Sequence, residues 1–188
     1  MVRLLVIRHG YSLTNKDKRY TGQTDVPLDQ IGHLQAEAAA RYIAKKYKVD
    51  AIYSSDLCRA VETGKIAVPD GTFETDRLLR EINVGDLQNL PHSLQTKEQR
   101  AYNGKYGYAD YHGESREELK ERIRKFMKKL EETDLENVAL FSHGGVLRAM
   151  LSLVLEAEVN HVVCNNCAVA VFEYKDETWS LYSWVNLT

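Results

Sequence analysis

The sequence predicts an α/β fold with a mostly parallel, mixed sheet. Five short β-prone stretches occur at residues 2–7, 50–54, 137–142, 167–174 and 178–185. Longer segments with helical periodicity separate most of them, which favours parallel strands joined by helical crossovers. Only three residues, 175–177, separate the last two strands, so we expect an antiparallel hairpin at one side of the sheet.

Composition predicts a single domain over residues 1–188. Hydrophobic residues make up 44% of the chain and charged residues 28%, with a net charge of −2 and no run of basic residues. These values are typical of a globular protein and give no reason to expect a nucleic-acid or membrane partner. Three cysteines and no signal-peptide or membrane-spanning pattern favour a reducing compartment, so we expect a cytoplasmic protein.

Helices are predicted at residues 29–47, 56–66, 115–132 and 144–156. Asp56 is expected to cap the second of these helices. Ser115 and Glu118 have the spacing of a capping box at the start of the third.

Residues 86–113 form a polar stretch with weak periodicity, and we predict a lid-like insertion there. The stretch contains four tyrosines, at 102, 106, 108 and 111. A long segment of this kind is often a functional lid. The alternative is a surface excursion whose tyrosines pack over the domain, because tyrosine serves packing and ligand contact equally well.

Three predicted strands end next to basic or imidazole side chains. Arg8 and His9 follow the first strand, Arg59 lies one turn into the helix after the second, and His143 follows the strand at 137–142. Ligands of open α/β sheets bind at the carboxyl ends of the strands, so we expect these side chains to line one crevice.

The chemistry of this set favours a phosphate site. Arginine binds phosphoryl oxygens through two parallel hydrogen bonds, and the helix N-terminus at Gly144 and Gly145 adds backbone donors. A neutral histidine can attack phosphorus, and Glu81, which precedes the predicted lid, is the best-placed general acid. A metal site built from His9, Glu81 and His143 is disfavoured because two arginines would repel a dication.

An ordered series of motifs resembles the histidine phosphatase superfamily, which includes the cofactor-dependent phosphoglycerate mutases. The matching stretches are Arg8-His9-Gly10, GQTDVPLDQIGHLQA (22–36), SSDLCRAVET (54–63), Glu81 with Gly85, HGES (112–115) and SHGGVLR (142–148). The resemblance extends over nearly the whole chain. It implies a three-layer α/β/α sandwich, His9 as the phosphorylated nucleophile, Glu81 as the proton donor, and neither a metal nor an organic cofactor. The phosphate pocket that it implies consists of Arg8, Asn15, Arg59, His143 and the backbone at Gly144.

Departures from the mutase pattern favour a phosphatase. Mutases carry Glu-Arg-x-Tyr-Gly at the acid and Gly-Leu-Asn-Lys soon after, whereas this chain reads EINVG at 81–85 and NLPH at 89–92. The residues that hold phosphoglycerate are therefore missing. Tyr11 and Thr14 also replace the common Glu and Trp of the first motif.

The leading hypothesis is a metal-independent phosphomonoesterase that acts on a small phosphorylated metabolite through a phosphohistidine on His9. The alternatives are a mutase and a catalytically silent module that binds a phosphorylated ligand. The tyrosines at 102–111 suggest an aryl or nucleoside-like leaving group, with sugar and amino-acid phosphates left open. His161, Cys164 and Cys167 have the spacing of a partial zinc or redox motif, which we interpret as ordinary residues because no fourth ligand is evident. The terminal hairpin offers an edge for a possible homodimer.

Overall fold

The computed structural model describes residues 1–159 and 162–187, and a six-stranded sheet forms its centre. The strands are β1 (Val2–Arg8), β2 (Ala51–Ser54), β3 (Phe73–Thr75), β4 (Asn137–Ser142), β5 (Val169–Lys175) and β6 (Thr178–Val185). Their order is β3-β2-β4-β1-β5-β6, in which the first four are parallel and the hairpin β5-β6 is antiparallel. The prediction of a mixed, mostly parallel sheet is confirmed. Strand β3, a short edge strand with little burial, was not predicted from the sequence.

The described helices are α1 (Leu13–Lys16), α2 (Gln30–Lys46), α3 (Cys58–Ala67), α4 (Lys97–Tyr106), α5 (Arg116–Glu131) and α6 (Gly144–Leu155). Four of the six lie within two residues of the predicted bounds. The capping box at the start of α5 is present: Ser115 Oγ accepts from the Glu118 backbone N–H at 3.2 Å. None of the described helices is long and apolar enough to span a lipid bilayer.

Asp56 is not the N-cap that the sequence suggested. Helix α3 begins at Cys58 after Leu57, and the Asp56 carboxylate instead accepts two hydrogen bonds from Arg80, at 2.7 and 2.6 Å. A bidentate, charge-assisted pair is stronger than a bond to a neutral backbone N–H, so the arginine takes the carboxylate.

The alternation of side chains along β1 divides the core into two clusters. Leu4 and Val6 pack with side chains of α5 and α6 on one face, whereas Leu5 and Ile7 pack with side chains of α2 and α3 on the other. All four are fully buried, as expected for a central strand covered on both faces. Helices on both sides of the sheet make the three-layer α/β/α sandwich.

The segment 86–113 contains α4 and two short 3₁₀ turns, at His92–Leu94 and Ala109–Tyr111. Gln95 ties the segment to the domain, because its buried Oε1 accepts from Tyr20 Oη at 2.7 Å and from Asn103 Nδ2 at 2.9 Å. Helix α4 escaped the sequence analysis because it is polar, although Thr96 and Gln99 form a capping box that marks its start.

Candidate active site

A cavity of about 310 Å³ lies beyond the carboxyl ends of the central strands. Five predicted site residues line it, namely Arg8, His9, Asn15, Arg59 and Glu81. Two others, His143 and Gly144, are buried and do not line the cavity itself. The His143 ring nevertheless lies beside that of His9, with ring centroids 5.2 Å apart. The β-sheet explains this proximity, since Arg8 and Ser142 are paired residues on β1 and β4.

His9 is held in the form that a nucleophile requires. Its Nδ1 lies 2.7 Å from the carbonyl oxygen of Gly10. A carbonyl only accepts, so Nδ1 carries the proton and Nε2 keeps its lone pair. Burial, with the charges of Arg59 and Arg8, holds the pKa of His9 well below its usual value. The imidazole is therefore neutral at pH 7.

The backbone around His9 is fixed by close contacts with helices α2 and α3. The Gly10 N–H donates to Thr63 Oγ1 at 3.0 Å, and the His9 N–H donates to the Ser142 carbonyl at 2.8 Å. A Cβ on Gly10 would lie 2.5 Å from the carbonyl oxygen of Gly32, so only glycine allows α2 to pack this closely.

His143 has one nitrogen without a protein partner. Its Nε2 lies 2.9 Å from Ser55 Oγ, whereas its Nδ1 is buried and makes no hydrogen bond to any residue that the structure describes. Ser55 Oγ already accepts from the Leu57 N–H, so its own hydroxyl proton is free to go to His143. That arrangement leaves Nδ1–H as a donor for an anion. Burial, together with the charge of Arg59, lowers the pKa of His143 well below its usual value.

Backbone carbonyls orient the two predicted arginines without neutralising their charges. Arg59 is fully buried and donates to the carbonyls of Thr24 and Gly22 at 2.8 and 2.9 Å. Arg8 donates to the carbonyl of Cys164. In both residues Nε is buried without a partner among the described residues. Burial lowers the pKa of Arg59 to about 10, so it stays charged at neutral pH and favours an anion.

Asn15 is oriented by its own turn. Its Oδ1 accepts from the backbone N–H and the hydroxyl of Ser12, at 3.1 and 3.0 Å. The oxygen is thus occupied, which leaves the amide nitrogen to donate into the cavity.

The Glu81 carboxylate accepts from two backbone N–H groups, Gly145 N at 3.1 Å and Ile82 N at 2.9 Å. The expectation that the backbone N–H groups of Gly144 and Gly145 serve the phosphate therefore needs correction for Gly145, whose N–H holds the acid. A Cβ on Gly145 would lie 2.0 Å from Glu81 Oε1. The helix start needs glycine there because the carboxylate occupies that space.

A half-buried ion pair supports the loop that carries Glu81. Arg122 donates to both carboxylate oxygens of Glu114, at 2.6 and 2.9 Å, and to the Glu81 carbonyl at 3.2 Å. Gln23 Nε2 donates to the same carbonyl at 3.0 Å. Neither Glu114 nor Arg122 was predicted to belong to the site, although Glu114 lies in the HGES stretch.

Further cavity residues were missed because they are scattered along the chain. They are Arg19, Tyr20, Arg100, Arg116 and Arg148; the lining also includes His92 and Tyr108, both from the segment predicted to be lid-like. Of the four tyrosines in the lid-like segment, only Tyr108 lines the cavity. Tyr111 packs against the core, and Tyr102 and Tyr106 are exposed and pair with each other at 4.8 Å. The aromatic side chains that line the cavity are therefore Tyr20, His92 and Tyr108.

Tyr11 and the cysteines lie outside the cavity lining. The Tyr11 backbone bonds to Gln35 Oε1 and to the Asp29 N–H, and Tyr11 borders a separate surface depression. Cys164 and Cys167 are buried, and burial raises the pKa of Cys167 to about 12. His161, the first residue of the His-x-x-Cys-x-x-Cys motif, lies outside the described residues.

Comparison with known proteins places the site in a family. The family model of the histidine phosphatase superfamily (branch 1) matches residues 4–187. A probable phosphoglycerate mutase of Yersinia pestis (GpmB) is 33% identical over 98% of this chain and 91% of its own. A mycobacterial glucosyl-3-phosphoglycerate phosphatase is 28% identical with a TM-score of 0.88 over 98% of both chains. Mycobacterial hydrolase 1 has the same identity and TM-score over 97% of both chains.

Proposed function

Because this chain belongs to branch 1 of the histidine phosphatase superfamily, we propose that it hydrolyses small phosphomonoesters through a phosphohistidine on His9. The observation that carries the proposal is the bond from His9 Nδ1 to the Gly10 carbonyl, which leaves a neutral Nε2 beside two arginines. A cavity of about 310 Å³ is at the small end of ligand pockets and favours a small metabolite.

In the first step, Nε2 of His9 attacks phosphorus and the bond from phosphorus to the ester oxygen breaks. Arg8, Arg59, the amide nitrogen of Asn15 and Nδ1–H of His143 stabilise the charge on the phosphoryl oxygens. Glu81 donates a proton to the leaving oxygen, which departs as an alcohol.

In the second step, water attacks the phosphoryl group of phospho-His9. Glu81, now a carboxylate, takes a proton from that water, the bond from phosphorus to nitrogen breaks, and inorganic phosphate leaves. His9 and Glu81 return to their starting forms, so the cycle balances.

Trapping the intermediate tests this proposal. Enzyme mixed with a ³²P-labelled phosphomonoester and quenched within milliseconds is expected to carry an acid-labile, base-stable label. The label is expected to be absent from the H9A variant and present in H33A, which removes an exposed histidine on α2. Turnover by H9A at the wild-type rate would exclude the mechanism.

The second candidate is a phosphoglycerate mutase, favoured by the 33% identity to the Yersinia protein. Both activities begin with the same phosphohistidine and differ in whether water or glycerate accepts the phosphoryl group. Incubation with 3-phosphoglycerate separates them, because a mutase yields the 2-phospho isomer and a phosphatase yields inorganic phosphate. We expect phosphate, because residues 81–85 and 89–92 lack the mutase arginine, tyrosine and lysine.

A further inference from the structure

The turn just before strand β5 lies against the backbone of the proposed nucleophile. Strands β1 and β5 are antiparallel and pair Ile7 with Val169. The residues that precede one strand therefore lie beside those that follow the other. The Cys167 N–H donates to the Arg8 carbonyl at 3.1 Å. The sheet thus brings this turn next to His9.

The backbone of this turn has a conformation that few residues adopt. Cys167 has a φ of 55°, in the left-handed region, although it is not a glycine. Backbone of this kind persists where the surrounding contacts hold it, and it is common at functional sites. Cys167 is fully buried, so the protein around it keeps the turn in shape. That shape fixes where the preceding side chain, Asn166, lies.

The Asn166 side chain contacts two parts of the phosphate site. Its Nδ2 donates to the His9 carbonyl at 3.0 Å and to Asn15 Oδ1 at 3.4 Å. A carbonyl oxygen only accepts, so the nitrogen of the Asn166 amide, and not its oxygen, faces His9. The two hydrogens of that NH₂ group serve the two acceptors. Asn166 therefore bridges the backbone of the nucleophile and a residue of the predicted phosphate pocket.

This bridge adds to the local contacts of Asn15. Asn15 lies on α1, a helix of four residues. The Ser12 backbone N–H and hydroxyl orient its amide relative to that helix. Those bonds lie within one turn of the chain, and they do not connect the amide to the His9 backbone. The contact with Asn166 makes that connection, because the same NH₂ group also binds the His9 carbonyl.

Loss of the bridge is expected to act through Asn15 more than through His9. The His9 N–H donates to the Ser142 carbonyl at 2.8 Å, and its ring is held by the Gly10 carbonyl. These bonds keep the nucleophile in place without Asn166. Asn15 loses one of the donors to its Oδ1, so its amide is less firmly held toward the cavity.

We propose that Asn166 is a positioning residue of the phosphate pocket, which holds the Asn15 amide in a fixed place relative to His9. The inference rests on the proposed function, because that function assigns the amide nitrogen of Asn15 to the phosphoryl oxygens. Loss of one neutral hydrogen bond changes a binding constant by about twofold to tenfold. We expect a loss of phosphate affinity in that range.

A double-mutant cycle tests the coupling between Asn166 and Asn15. Leucine has nearly the size of asparagine and no polar hydrogen, so N166L removes the donor with little change in volume. Calorimetric titration measures the affinity for inorganic phosphate in the wild type, N166L, N15A and the double variant. We expect N166L to weaken binding about twofold to tenfold in the wild-type background and less than about 1.5-fold in the N15A background.

Two results of this cycle would overturn the inference. Equal weakening in both backgrounds would show that Asn166 supports the fold without acting through Asn15. Wild-type affinity in N166L would show that the side chain only fills space. A thermal melt checks that each variant folds, and N166A repeats the cycle if leucine unfolds the chain.

The control N186A loosens the same segment from its outer side. The exposed Asn186 accepts from the Asn165 N–H through Oδ1, at 3.0 Å. N186A is expected to keep the wild-type affinity for phosphate. A loss as large as that of N166L would contradict the assignment, because any loosening of the segment would then have the same effect.

Phosphate binding needs no turnover, so the titration separates this inference from the proposed function. A wild type that binds phosphate and hydrolyses no phosphomonoester would refute the proposed function, and the cycle would still decide the role of Asn166. For a chain that turns over, the same cycle in kcat/KM for p-nitrophenyl phosphate is a second measurement with the same expected outcome. A wild type that neither binds nor releases phosphate would overturn both.

Discussion

At the residue scale, the predictable part of the site lies directly after the strands. Arg8, His9 and His143 could be predicted as cavity-side residues because each lies at or just after the end of a strand. The apolar side chains of those strands are buried in the core. The contacts between Gly145 and Glu81 and between Ser55 and His143 join residues 64 and 88 positions apart. No local pattern encodes such contacts, so the sequence alone did not reveal them.

The G145A substitution tests how Glu81 is held. A methyl group at Gly145 would lie 2.0 Å from Glu81 Oε1 and must displace the acid. We expect kcat/KM for an alkyl phosphate to fall by about a hundredfold to ten-thousandfold, the range in which proton transfer contributes to catalysis.

p-Nitrophenyl phosphate provides the internal comparison for G145A, because its leaving group departs without a proton. The loss with that compound is expected to be much smaller. Equal losses with both compounds would mean that the methyl group disturbs the phosphate pocket rather than the acid.

The two buried histidines make stability depend on pH. The pKa values of His9 and His143 are both lowered in the folded protein. Below pH 6.5 the unfolded chain therefore binds protons that the folded chain does not, and the free energy of unfolding falls as the pH falls. Each histidine contributes up to about 1.4 kcal/mol per pH unit in that window. Urea unfolding at pH 7.5, 6.5 and 5.5 measures the slope.

The H143Q variant isolates one of these contributions, because glutamine does not titrate. Its unfolding free energy is expected to change less between pH 6.5 and 5.5 than that of the wild type. A wild-type slope in H143Q would show that His143 is protonated in the folded state.

At the scale of elements, long periodic segments were predictable and short or polar ones were not. Helix α5 was expected at 115–132 and spans Arg116–Glu131, because five of its side chains enter the core. Strand β3 has three residues, and α4 buries only Asn103. Neither segment has enough apolar residues to produce a periodic hydrophobic pattern in the sequence. Their positions therefore depend on contacts with the rest of the domain.

The ion pair between Glu114 and Arg122 joins the start of α5 to the loop of Glu81. Both side chains are about 15% exposed. In the E114Q variant, Arg122 keeps its charge and loses its carboxylate partner, which we expect to cost about 1–3 kcal/mol of stability. Because Arg122 also contacts the Glu81 carbonyl, kcat is expected to fall. The control E121Q breaks an exposed pair on the same helix and is expected to change stability by less than about 1 kcal/mol.

Helix α4 offers a substitution that is expected to stabilise the protein. Gly104 lies inside the helix, and a Cβ there would meet nothing within 4 Å. Alanine loses less backbone entropy than glycine on folding, so G104A is expected to add about 0.5–1 kcal/mol to the free energy of unfolding. Denaturant unfolding measures the change, and an unchanged midpoint would indicate that α4 is already unfolded in the transition.

At the scale of the whole molecule, the expectation of a homodimer stays a prediction. Strand β6 is an edge strand, and Tyr182 on it is 62% exposed. Sedimentation equilibrium is expected to show a dimer that Y182K weakens. I31K, a charge placed on exposed α2, is the control that should leave the association unchanged. A monomer at all concentrations would exclude the prediction.

The spacing of the His9 and His143 imidazoles is set by the ladder that pairs Arg8 with Ser142 on the central strands. We expect such a central ladder to separate with the whole domain, whereas Arg100 is held on the polar helix α4 by the carbonyls of His92 and Gln95, and a segment of this kind can open locally at lower cost. In rising urea, the contribution of Arg100 to the cavity wall is therefore expected to be lost first, which a rise in KM for a phosphomonoester would report. Phosphate release would persist until the cooperative transition, which would make substrate affinity and hydrolysis two separable denaturation curves.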